Sequence, residues 1–513
     1  MTKKLLLLAA AFVLAIVAAC SKSPAPSSGD AKGSPTPSAS GAASASATPK
    51  KELRAKVATF EYADNPFSKG WNVWKYLSEG SGVTLEPVSV ATNDPTEAYN
   101  KLFATKDLPD LMFFSNYDLP NKYGGDGALV NLLDHAAKMP NMTKWLQQFP
   151  VEAATAKATN GAMYVTPNKG IADGSRTLWM YREDVFKANN IAVPTTYDEL
   201  YAVLKKLKQL YPDSYPHAWR FGLLGLDLFY TPNFQTGKDF YYNYDRNEWA
   251  FGPTEPNYKR MVEFILKLNQ EKLIPPDWPT LDTNAWHELV STNKAFIFQD
   301  YIARVGLLNT QFGEKVKGFK MNWALPLTGV PGGKGVNPLP HNFIGYGIAA
   351  NSKNLDASLQ YIDFLFSEKG RDLVSWGIKG ETYTENGGAK KLNYPNLLDL
   401  RNKTGLSTPG TYLWYDFQAQ TSMLPDWEVQ MYKEQPKYEG KVQPKPALTK
   451  EESDIIATKG AAILKHKEEN IVRFMLGTRP IGEWDQYVAE INKLGVADIV
   501  NIYKTAYERT QKK

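Results

Sequence analysis

Beyond residue 20 the chain contains no cysteine, so no disulfide can brace it and no thiolate cluster can organise it around a metal. A chain of 513 residues without such staples must be held together by packed apolar side chains. Single cores seldom grow beyond about 300 residues, which predicts at least two domains or lobes. At 43% hydrophobic and 22% charged, the composition is that of an ordinary globular protein and can supply those cores. The formal net charge of +5 is small, and both signs are mixed along the chain with no long basic block outside the termini. That pattern argues against nucleic acid as a partner.

The one cysteine, Cys20, stands behind Lys3, Lys4 and an apolar run from Leu5 to Ala19. A charged start, an apolar middle and a small-residue finish describe a secretory signal peptide, too short to span a bilayer comfortably. Ala18 and Ala19 lead directly into the thiol, which resembles the lipobox of bacterial lipoproteins. The expectation is a leader over residues 1–19 and a mature chain anchored by lipid, palmitate included, on Cys20. Residues 20–50 are almost entirely Ser, Ala, Pro, Gly and Thr without an aromatic residue, a composition that predicts a flexible tether. No later apolar run approaches the roughly 20 residues a bilayer requires, so the folded part is expected outside the cell membrane and held to it only through its first residue.

From Leu53 onward, strand-like and helical stretches alternate. "RAKVATFEY" and "GVTLEPVSV" read as strands around a helix from Trp71 to Glu79 closed by Gly80. A helix at "EAYNKLFAT", an apolar run "DLMFFS" and "NLLDHAAKM" continue the pattern, which predicts a sheet with crossover helices. Thr196 and Glu199 form a capping box before Leu200, Val203, Leu204 and Leu207, spaced on one helical face. Further helices are expected over Asn257–Gln270 and Asp356–Phe366. Thr449 and Glu452 make a second capping box, and Trp484, Tyr487, Val488, Ile491 and Leu494 line a face that Gly495 ends.

The motifs of several chemistries fail on spacing. His135, His217, His287, His341 and His466 are scattered, and "HELVS" lacks the second histidine of a zinc-protease helix. "GVPGGKGV" has no Ser or Thr after Lys334 and is expected as a surface turn, and "IGYGIAA" as a buried strand. No Gly-x-Ser-x-Gly elbow is present. Asp300, Glu381, Glu385, Asp416 and Asp426 lie near aromatic residues in sequence, and spacing alone leaves a glycosidase-type pair among them open. The chain carries 13 Trp and 28 Tyr, many beside polar residues as in "SNYDLPNKYGG", "DLFYTPNF" and "TYLWYDF". Aromatic planes next to amides and carboxylates suit sugar rings, whose C–H faces stack and whose hydroxyls hydrogen-bond.

Several of these stretches together resemble the extracellular solute-binding proteins of the family 1 type, lipoprotein receptors of bacterial ABC sugar importers, in their large oligosaccharide-binding group. The likeness lies in "GAMYVTP", "LWMYREDVFKANNIAVPTTYDELYAVLKKLK", "GYGIAANSKNLDASLQYIDFLFSEKGRDLVSWGIKGETYT" and the closing "FMLGTRPIGEWDQYVAEINKLGVADIVNIYKTAYER". It implies an α/β fold of the two-lobed periplasmic-binding-protein type II (Venus-flytrap) kind, with mixed sheets, crossover helices and a helical C-terminal part. Lobe 1 would take residues 52–167 and 325–378, and lobe 2 residues 168–324 and 379–513. By the same resemblance the ligand-binding candidates are Asn116, Tyr117 and Asp118, then Tyr230, Asp300 and Tyr301, then Trp414 and Tyr415, with Trp71 added. Members of the group often carry an acidic calcium loop after the capped helix; here the stretch is "LYPDSYPHAW", Asp213 has no companion carboxylates, and no calcium is expected there. The resemblance thus implies a monomeric, cofactor-free receptor that hands an oligosaccharide to ABC permease subunits. The alternatives are a glycan lyase or hydrolase, or a receptor for a peptide or another solute.

Overall fold

The computed structural model describes residues 52–61, 67–91, 95–158, 160–171, 175–338 and 345–511. Cys20, the leader, the tether and His341 lie outside the described residues. Two separate sheets carry the architecture. In the first, β1 (Arg54–Glu61) runs parallel to β2 (Thr84–Ala91) and to β3 (Leu111–Phe114). In the second, β4 (Thr177–Arg182) is the central strand. A hairpin of β5 (Phe240–Asn243) and β6 (Glu248–Phe251) follows. Then β7 (Ile297–Tyr301) and β8 (Met321–Ala324) flank β4 antiparallel on either side, as the two edges of that sheet. The chain returns to the first sheet with β9 (Gly345–Ile348), antiparallel to β3, and ends its strands with the hairpin β10 (Tyr383–Asn386) and β11 (Ala389–Leu392).

Parallel strands covered on both faces must be apolar throughout, and all four residues of β3 are buried. "GYGI" is likewise a fully buried strand. All six residues of β4 are buried as well, because Trp179 and Tyr181 face one core of the second sheet and Leu178 and Met180 another. The core of the first sheet draws on residues from Ala55 to Ile171 and again from Tyr346 to Ala419. The chain therefore passes between the two sets of cores three times: between Ile171 and Leu178, Leu327 and Tyr346, and Ala419 and Met431. These are the two lobes and the joint between them.

The expected division is corrected at three places: Ile171, expected in lobe 2, packs into the first core, Leu327, expected in lobe 1, packs into the second, and a longer segment changes sides. Leu392, Leu400, Leu406, Tyr412 and Leu413, expected in lobe 2, pack into the first core. Hydrogen bonds seat the segment there: the Thr59 side chain donates from Oγ1 to the Pro409 carbonyl at 2.5 Å and the Tyr415 N–H donates to the Lys169 carbonyl at 2.8 Å. The stretch holds one short helix, Leu397–Thr404, and long-range pairing decides which core it joins.

Helix ends differ in detail. Asn72–Ser81 continues through Gly80 and stops at Gly82, whose φ of 71° supplies the left-handed cap. The "NLLDHAAKM" stretch is a 3₁₀ helix, Leu132–Lys138. The Thr449–Glu452 capping box forms in full. At the other box Thr196 Oγ1 accepts the Glu199 N–H at 3.1 Å, while the Glu199 carboxylate turns to the backbone N–H of Thr195 at 2.7 Å.

Candidate functional site

The sequence candidates separate by burial. Tyr230 is fully buried among Trp179 and Trp219, with ring centroids at 5.7 and 5.6 Å, and its hydroxyl lies 3.2 Å from His217 Nε2. Burial pushes the His217 imidazole down to about 4, so at neutral pH it is uncharged, with Nδ1 donating to the Ile297 carbonyl at 2.8 Å and Nε2 accepting from Tyr230. Tyr415 is buried with its hydroxyl against Ser407, and Trp71 is buried with Nε1 donating to the Asn402 carbonyl at 3.0 Å. These three side chains fill core; none presents a ring face outward.

Asp300 is buried too, but it organises its surroundings. Its carboxylate takes Arg220 Nε at 2.7 Å and Nη2 at 2.8 Å, a bidentate pair, and accepts the Tyr301 N–H at 2.6 Å. Burial would raise its pKa, but the Arg220 guanidinium outweighs burial and holds the carboxyl below its usual range. Asp300 therefore fixes Arg220, whose guanidinium lies 4.2 Å from the Phe221 ring centroid and 5.5 Å from that of Tyr301. Phe221 is 42% exposed at φ 72°, a backbone region bulky residues avoid. Tyr301 is half-buried, edge-on to Phe229. The second lobe thus places two rings within reach of one fixed guanidinium.

On the first lobe Trp414 is half-buried, with the Arg371 guanidinium 4.9 Å from its ring and Phe149 edge-on at 5.9 Å. Lys169, bridged to Trp414 through the backbone, lies 4.9 Å from the Phe149 ring and pairs with Glu152. Burial and the nearby Glu152 carboxylate push the half-buried Tyr117 hydroxyl up. Lys445 holds the other side of this group, 5.9 Å from the Tyr117 ring, while donating to the carbonyls of Thr155 and Lys157. Asn116 uses Oδ1 to accept the Leu119 N–H at 3.1 Å, and Asp118 is exposed at the start of that helix. Tyr117, Phe149 and Trp414 are thereby linked on one lobe, as Phe221 and Tyr301 are on the other.

The third crossing joins the two sets. Phe417 packs on Tyr432 at 5.2 Å, and Tyr432 shares the helix Asp426–Glu434 with Glu428. The Glu428 carboxylate leans on Gly306, where a Cβ would stand only 2.5 Å from Oε2. Gly306 belongs to the helix Ala303–Phe312, whose first turn carries the buried Arg304. Burial alone raises Glu428 to about 7. Close by Trp414 in chain pairing is Asn168, 1% exposed, with neither Nδ2 nor Oδ1 bonded to protein among the described residues.

Asn168 and Phe221 are the residues that sequence reading missed. The only trace of the first is a polar pair, "NK", breaking an apolar run; the second carries no local signal, because its exposure follows from a backbone conformation. Of the five carboxylates considered for catalysis, Asp300 is paired as above, Glu385 pairs with Lys379, Asp416 accepts from Trp376 Nε1 at 3.0 Å, and Glu381 accepts from Asn72 and Tyr76. Asp426 opens the third-crossing helix.

Two lobes crossed three times, each carrying half-open aromatic rings beside a cation, have the architecture of a two-lobed solute-binding protein. The chain belongs to the bacterial extracellular solute-binding proteins, whose family model matches residues 73–372, more than half of it. It is 26% identical over 548 aligned residues, covering 97% of this chain and 96% of the relative, to the fructooligosaccharide ABC transporter substrate-binding protein FusA of Streptococcus pneumoniae. Among solved structures it is similar to the alginate-binding protein AlgQ2 without calcium ion (TM-score 0.76, 22% identity, 90% of this chain and 99% of that one). It is also similar to FusA in complex with kestose (TM-score 0.71, 20% identity, 90% and 99%). The two-lobed α/β fold expected from sequence is the fold observed.

Proposed function

We propose that the protein captures an oligosaccharide between its lobes and delivers it to the permease of an ABC importer. The observation that carries this reading is the set of half-open rings, Trp414 on one lobe and Phe221 and Tyr301 on the other. Trp414, Phe221 and Tyr301 can stack on sugar C–H faces. FusA, described as a fructooligosaccharide receptor and similar along nearly its whole length, supports the same substrate class. Ligand would shift the lobes towards closure by its differential affinity for the closed state. The reading includes a leader cleaved before Cys20, lipid on that residue, and a monomer held at the outer face of the membrane. It assigns the protein no catalysis: a receptor needs complementarity only to the ground state, and four of the five carboxylates weighed for chemistry are engaged by the protein's own side chains.

The test is native mass spectrometry of residues 50–513 with kestose, longer fructo-oligosaccharides and uronate oligomers, read at mixing and after long incubation. A 1:1 complex with ligand mass unchanged is expected. Cleaved or unsaturated products would overturn the reading in favour of a glycan-active enzyme, and retention of peptides alone in favour of another solute.

A further inference from the structure

The second lobe carries a further aromatic surface that the cleft does not use. Tyr301 ends β7, one edge of the second sheet; β8 is the opposite edge. There Trp323 is half-buried and stands in the wall of two adjoining hollows. The smaller, of about 290 Å³, lies between Trp323 and Trp427 and is completed by Asn322, Gln430 and Lys320. The larger, of about 850 Å³, continues from Trp323 past Leu325 and Val193 to Tyr438, with Lys334 and Lys437 at its rim. The larger hollow by itself has the size of a small-molecule site.

Three features say what fits. Trp427 is 38% exposed, although its neighbour Glu428 on the same helix is buried against Gly306, so the helix turns its carboxyl inward and its indole out into the groove. Leu325 is 45% and Val193 37% exposed, an apolar lining that water covers at a cost. The rim is amide and ammonium: Gln430 is exposed, Lys320 and Lys437 are tied to Glu183 and Glu434 at 2.9 and 2.6 Å, and Lys334 has no ion-pair partner among the described residues. Flat indole faces at intervals, with polar groups around them and no deep apolar hole, match a chain of pyranose or furanose rings. They do not match an apolar peptide side chain, which seeks a closed pocket.

We propose that this groove is a second carbohydrate site, in which a short oligosaccharide stacks on Trp427 and Trp323 and extends towards Tyr438, with Lys334 favouring a carboxylated sugar at that end. Its far wall adjoins the joint: Tyr438 and Glu439 follow the third crossing, Asn337 of the second donates its N–H to the Tyr438 carbonyl at 2.8 Å, and Arg176 of the first pairs with Glu439. The groove lies at the β8 edge of the second sheet, whereas Tyr301 ends the β7 edge.

The experiment is ¹⁹F NMR of residues 50–513 labelled with 5-fluorotryptophan, the Trp323, Trp414 and Trp427 resonances being assigned by Trp→Phe substitution, titrated with kestose and with a mannuronate trisaccharide. The expected result is a saturable shift at Trp323 and Trp427 that persists in Trp414→Ala and whose midpoint rises at least tenfold in Trp427→Ala, with the Trp414 shift unchanged in the latter. Trp427 is exposed, so its loss leaves the fold intact; Gln430→Ala gives a second, smaller weakening. Trp323 and Trp427 signals that stay still with both sugars overturn the groove, whether or not Trp414 moves. Shifts there that vanish in Trp414→Ala overturn it as well, because they then report closure alone. A still Trp414 with moving groove signals leaves the groove standing and removes the cleft reading.

Discussion

Phe221 holds a left-handed backbone with a bulky side chain in water, two unfavourable choices at one position. A residue kept for packing would do neither, whereas a stacking ring that must stand beside a fixed guanidinium needs both. Phe221→Gly removes the ring and relieves the strained φ. It is expected to hold or raise the melting temperature in calorimetry while weakening oligosaccharide binding about tenfold by titration calorimetry, about 1.4 kcal/mol. Tyr230→Phe has the opposite signature: loss of the hydroxyl at His217 costs about 1 kcal/mol of stability by denaturant unfolding, with binding unchanged. Glu428 and His217 make opposed contributions to the pH profile. The Glu428 carboxyl, raised to about 7, binds its proton more tightly folded than unfolded, so its contribution is present at low pH and is lost as pH rises towards 7. His217, lowered to about 4 from 6.5, contributes stability above 6.5 that is lost as pH falls. Between pH 6.5 and 4.5 the two offset one another. Glu428→Gln removes one of them, and the variant is expected to lose stability on acidification more steeply than the parent in urea titrations across that range.

Among the elements, close approach sets the tolerance for change. Gly370 lies on the helix Glu368–Trp376, where alanine is ordinarily favoured over glycine by about 1 kcal/mol. Its position forbids that gain, because a Cβ there would stand 2.0 Å from the Phe364 carbonyl oxygen. Gly370→Ala is expected to destabilise by roughly 1–3 kcal/mol and to lower the melting temperature. The loop after the capped helix Tyr197–Leu210 is closed by an ammonium group: Lys208 Nζ donates to the Ser214 carbonyl at 2.6 Å and lies 5.2 Å from the Tyr215 ring. Among the described residues no group of three or more His, Cys, Asp or Glu could hold a metal ion. Millimolar calcium is therefore expected to leave the melting temperature of the parent unchanged, while Lys208→Met lowers it, both read by differential scanning calorimetry.

For the whole molecule the joint is the feature that matters, and its first crossing is tied to the segment just past the third where Arg176 pairs with Glu439 and Gln435 Nε2 donates to the Thr177 carbonyl at 3.0 Å. The same long-range pairing separates what could be read in the chain from what could not. Regular elements were legible because their signals are local: the alternation in β1, the buried run of β3, and the capped helices beginning after Thr196 and Thr449 are properties of neighbours a few residues apart. The assignment of Leu392 to Leu413 to the first core was not, since those residues find partners hundreds of positions away. The aromatic loops divide in the same manner. "DLFYTPNF", "QDYIAR" and "TYLWYDF" look alike as strings, yet Tyr230 and Tyr415 are buried while Tyr301 and Trp414 keep part of a ring open. By itself the sequence determined an α/β chain held without disulfides and rich in rings suited to sugars, because composition, periodicity and capping act over short distances. Which rings face a ligand, which carboxylate is spent on an arginine, and which amide is left open were decided only by the tertiary structure, because burial and hydrogen-bond satisfaction depend on neighbours that folding alone brings together.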